Sequence, residues 1–175
     1  NMECQSYFFL IIPLQFNYHK LLSYVNLLIM KYIIIIPGLS DGTTLIKFIT
    51  SSWVTKTTKV IVHPFGWNGT KSLFEHNIKT LLKLIGSLEG KVSLIGTSAG
   101  ASAILNTYYY VPDKIIRLVN GCGRVKRGVE VKPSLKEASR NSPIFEKSVL
   151  DCEKNLSSLQ KEDTKKILTI IPTCD

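Results

Sequence analysis

From Lys31 onward, short aliphatic runs alternate with longer segments of helical period, and few architectures other than a parallel sheet with crossover helices accommodate that alternation. The runs cover residues 32–36, 59–63, 92–96, 115–120 and 167–171. Each is β-branched or aliphatic at successive positions, which marks strands covered on both faces. Between them, 43–53, 70–88, 99–110 and 143–160 read as helices. In the first, Leu45, Ile46, Phe48, Ile49 and Trp53 share one side. In the second, Leu73, Phe74, Ile78, Leu81, Leu82, Ile85 and Leu88 repeat at 3.6 residues, and Ser72 with Glu75 three positions on predicts a capping box. Pro143 suits the first turn of the fourth. The expected fold class is therefore α/β, an open, mostly parallel sheet with helices on both faces, and 121–142 is the one long irregular stretch.

With 175 residues, 45% of them hydrophobic, the chain can bury one core. The formal charge of +9 is distributed over both halves and is mostly Lys, which favours a solvated surface over a nucleic-acid site. A local excess of Lys114, Arg117, Arg124, Lys126, Arg127, Lys132 and Lys136 faces only Glu130. Cys4, Cys122, Cys152 and Cys174 show no metal-ligand spacing, so neither a metal nor a cofactor is expected, and free thiols fit a reducing cytoplasm. Residues 1–29 are oily but interrupted by Pro13, Gln15, Asn17, His19 and Lys20, which argues against a membrane span. Glu3, with no Lys or Arg before the apolar run, argues against a signal peptide. Met30 stands just ahead of the first strand, one residue before it, so the expected organisation is a doubtful leader over 1–29 and one domain over 30–175.

In parallel sheets ligands collect at the carboxyl ends of the strands. There the third strand runs into Gly96-Thr97-Ser98-Ala99-Gly100, a G-x-S-x-G sequence at a strand-to-helix junction. Such a turn exposes a serine hydroxyl on a strained backbone, and small residues two positions to either side let strand and helix approach. A serine that merely caps the following helix is the plainer reading of the same residue.

On these residues, on the Gly38-Leu39 turn after the first strand, and on an acid beyond the fifth, the chain resembles the α/β-hydrolase superfamily over most of 31–175. The resemblance implies that Ser98 is a nucleophile, that the backbone N–H groups of Leu39 and Ala99 bind an oxyanion, and that Asp175 is the triad acid. It also implies that His63-Pro64-Phe65-Gly66 shapes the pocket rim and that 121–142 stands where a lid is inserted, too short for a large cap. The family's His-Gly at the first turn is here Pro37-Gly38. The family's catalytic histidine follows its acid, whereas His19, His63 and His76 all precede Ser98. The expectation is thus a domain lacking its last strand and helix, with the base beyond residue 175 and His63 as the only substitute at a strand end. The function expected is cleavage of an ester, thioester or small amide through an acyl-enzyme, with a small-molecule acyl substrate, no nucleic acid and no membrane partner. A non-catalytic binding protein on the same fold is the alternative.

Overall fold

The structure, a computed structural model, describes residues 30–128 and 133–171. The leader expected over 1–29 and the acid Asp175 lie outside the described residues.

Five strands form one sheet: β1 (Lys31–Ile36), β2 (Thr58–Val62), β3 (Lys91–Thr97), β4 (Ile115–Gly121) and β5 (Ile167–Ile170). Their order is β2-β1-β3-β4-β5 and every pairing is parallel. The connecting helices are α1 (Thr44–Thr50, continued by a 3-10 turn at Ser51–Trp53), α2 (Leu73–Ser87), α3 (Gly100–Tyr110), α4 (Leu135–Ala138), α5 (Pro143–Leu156) and α6 (Lys161–Thr164).

Alternation along the strands divides the sheet into two faces with different cover. Ile34 and Ile36 of β1, Val92 and Leu94 of β3 and Leu118 of β4 join the main core with Ile78 and Leu81 of α2, Ile104 and Tyr108 of α3, and Ile144 and Val149 of α5. Each of these aliphatic side chains is almost fully buried, and each such burial stabilises by about 1.5–3 kcal/mol relative to exposure. The opposite face carries a row that register aligns across the whole sheet: Val62, Ile35, Ile95, Val119 and Leu168. Only its β2 and β1 members are buried, and Leu168 is 57% exposed. Because the step from β1 to β2 runs opposite to all later steps, the right-handed crossover rule puts α1 alone on this face among the described helices. The apolar side expected of the first helix is therefore not buried: Leu45, Phe48, Ile49 and Trp53 all stand exposed, since no described element packs over them.

Two further expectations shift. The capping box at Ser72 does not form; Ser72 is already helical in backbone and its hydroxyl pairs with that of Thr70 at 2.8 Å. A capping box does form inside the stretch read as irregular, where Ser134 and Glu137 exchange side-chain and backbone bonds at the start of α4. The expected helix over 143–160 ends at Leu156, and Ser142 caps its start by accepting from the Phe145 N–H.

Candidate functional site

β1 lies between β2 and β3, so the chain leaves it in one direction and returns past it in the other, and this reversal sets a crevice at the carboxyl ends of β1 and β3. Ser98 is the first residue beyond β3. Its φ is 51°, its side chain is exposed, and it belongs to a turn rather than to the helix that follows. The turn is locked at both ends: the Ser98 N–H donates to the Gly121 carbonyl at 2.9 Å, and the Ser98 carbonyl accepts from Ala101 at 3.2 Å.

The glycines on either side are required by approach distance. A Cβ on Gly96 would lie 2.4 Å from the Gly100 carbonyl oxygen, and one on Gly100 would lie 2.1 Å from that of Ile36. Strand and helix thus touch backbone to backbone under Ser98. Across the crevice Gly38 also comes close, since a Cβ there would meet the Ser98 Cβ at 3.0 Å. The loop after β1 is in this way pressed against the serine.

That loop is held by a residue that motif reading passed over. Asp41, at φ 50°, accepts backbone N–H bonds from Phe65 (2.7 Å), Gly66 (2.9 Å) and Trp67 (2.9 Å), and its own N–H closes a turn onto Gly38. Trp67, fully buried, donates its indole N–H to the Pro37 carbonyl at 3.1 Å, and its own carbonyl accepts from the Ser142 hydroxyl at 2.8 Å. The stretch 63–66, expected at the pocket rim, instead braces the loop from behind: Phe65 is buried against Trp67 and Phe74, and none of its residues lines a cavity that Ser98 borders. Asp-Gly after a strand is an ordinary turn signal, so the three-fold clamp has no signature in sequence.

Ser98 borders two cavities, and Leu39 lines both. The larger, about 530 Å³, is walled by Leu39, Val125, Ala138, Phe145, Ile170 and Ile171, with Arg124 and Lys126 among its polar groups. The segment from Cys122 to Gly128 and the end of β5 thus form its sides. Ala99 is fully buried beside Ser98. Among the described residues, the amide N–H groups of Leu39 and Ala99 donate no hydrogen bond, and the Ser98 hydroxyl has no partner.

His63 and His76 line neither cavity. His63 follows β2 half-buried, and burial lowers its pKa below 6.5, partly countered by the charge of Asp41. His76 is exposed on α2. The structure therefore brings Ser98, Leu39 and Ala99 together and leaves His63 apart from them. Among the described residues no cluster of His, Cys, Asp and Glu has the makings of a metal site, and no helix is long and apolar enough to cross a membrane.

No family model and no curated protein matches the chain in sequence. Solved structures do match in fold. Est1E from Butyrivibrio proteoclasticus superposes with a TM-score of 0.54 at 11% identity, over 85% of this chain and 80% of that one. A monoacylglycerol lipase from Paleococcus ferrophilus gives 0.53 at 13% identity, over 80% and 72%. The N-formylmaleamic acid deformylase of Pseudomonas putida S16 gives 0.51 at 12% identity, over 81% and 84%. The fold is that of the α/β-hydrolases.

Proposed function

We propose that the protein is a serine hydrolase that cleaves an ester, thioester or small amide through an acyl-enzyme on Ser98. The observation that carries this reading is the turn itself: an exposed serine at φ 51° between a strand and a helix whose backbones are in contact. A helix-capping serine needs neither the positive φ nor the two close glycines. In the proposed reaction the Ser98 hydroxyl attacks the acyl carbonyl and the N–H groups of Leu39 and Ala99 receive the developing oxyanion. Both donors are uncommitted, as such a role requires. Asp175 is proposed as the acid that orients the base. Ile171, four residues before it, already lines the cavity.

A second reading, a ligand-binding protein on the same fold, is favoured by one observation: neither described histidine borders the Ser98 cavities. Without a base the hydroxyl is a weak nucleophile, and in triad enzymes the residual rate falls to ~10³–10⁴-fold over water. A fluorophosphonate probe separates the two readings. Protein expressed from its own gene is expected to be labelled, with the adduct on the Ser98 peptide and none on Ser98→Ala. Labelling absent from both proteins, with fold intact by circular dichroism, overturns the hydrolase reading and leaves the binding one.

A further inference from the structure

The larger cavity has an amphipathic lining. Its walls are mostly aliphatic and aromatic, and the loop leaving β4 sets Arg124 and Lys126 into the same enclosure. No carboxylate stands among its described lining residues. Arg124 is half-buried and positioned by donating from Nη2 to the Pro133 carbonyl at 2.7 Å, so its charge is fixed at the wall. Arg127, three residues on, is paired with Glu153 at 2.7 Å. Lys126, between them, makes no ion pair or hydrogen bond with any described residue.

A cavity of this kind selects by two criteria at once. Apolar walls supply most of the binding, and the few polar groups fix which end of a ligand points where. Among the described residues no carboxylate pairs with the Lys126 ammonium, and a neutral acyl chain would bring none. An anionic end would give it one at the rim of the cavity, where Lys126 stands exposed and the attraction is that of a surface pair.

We infer that the substrate is an acyl compound with an apolar chain and an anionic group at the end remote from the scissile bond, the anion being received by Lys126. The inference rests on the hydrolase reading for the placement of the scissile bond at Ser98. Its test does not depend on turnover.

The probes are monomethyl suberate and dimethyl suberate, identical except for one charge, titrated by calorimetry or NMR into the full chain carrying Ser98→Ala so that neither ester is consumed. At low salt the monoester is expected to bind about fivefold more tightly than the diester, the upper range for a partly exposed ion pair. That preference should shrink in 0.5 M NaCl (roughly a 4 Å Debye length). In a protein that also carries Lys126→Glu the preference should vanish or invert, while the diester keeps its affinity and so reports an intact cavity. Equal binding of the two probes at low salt overturns the inference, as does a preference that survives Lys126→Glu. Loss of fluorophosphonate labelling with the monoester preference retained would instead overturn the hydrolase reading alone, leaving an anion-selective binding site.

Discussion

At the scale of single residues, the site depends on backbone held where side chains do not usually hold it. Asp41 gathers three N–H groups from the neighbouring loop onto one carboxylate and does so from a left-handed backbone, a conformation that Asp and Asn tolerate better than most. Removing it strands those donors, the Phe65 and Trp67 ones in buried residues, and lets the Gly38–Leu39 turn drift from Ser98. Asp41→Ala is expected to destabilise the fold by about 2–4 kcal/mol in urea unfolding. It should also slow fluorophosphonate labelling of Ser98 beyond what the unfolded fraction explains. Asp41→Asn, which keeps one acceptor oxygen and suits the same φ, should recover part of both. The Gly-x-Ser-x-Gly spacing was legible in sequence because it is local: a positive φ and the approach of Gly96 to Gly100 fall within five residues. The Asp41 clamp was not, because its partners lie more than twenty residues away and are backbone atoms, which carry no residue identity.

Among the elements, α1 and α3 make opposite uses of apolar sequence. Helix α3 is buried along most of its length, with Ile104 fully enclosed, whereas α1 buries only Thr50 and leaves Phe48 78% exposed. For α1 the sequence predicted an apolar side, Leu45, Ile46, Phe48, Ile49 and Trp53. Such a pattern reports that a stripe exists, and only the crossover topology decides which face of the sheet that stripe meets. The expected outcomes differ accordingly. Ile104→Ala should cost about 2–5 kcal/mol through the cavity it leaves, and Phe48→Ser no more than about 0.5 kcal/mol, both read as shifts in the denaturation midpoint. The strands, by contrast, were legible to within a residue or two, since the sequence carries five short runs rich in β-branched and aliphatic residues. The short helix α4 escaped notice because four residues are too few to show a period, although its capping residues Ser134 and Glu137 were in view.

At the scale of the whole molecule, the sheet is organised around the reversal at β1, and the crevice, the serine turn and both cavities follow from it. The order of strands was not written in the sequence, since hydrophobic runs do not record their neighbours. What alternation did convey was that strand ends would gather on one side, and the loops after β1, β3 and β4 and the end of β5 do converge there. The outermost of these strands has a double role. β5 is paired only with β4 among the described strands, and its Thr169 and Ile170 are also the wall of the larger cavity. Whatever fills that cavity therefore binds the state in which the edge is zipped, and mass action draws the fraying equilibrium toward it. Saturating monomethyl suberate is expected to slow amide hydrogen exchange in β5, while β2 at the far edge exchanges as before. The rim of the sheet would then be completed by the ligand it contains, and the order of an exposed edge becomes a property of occupancy as much as of sequence.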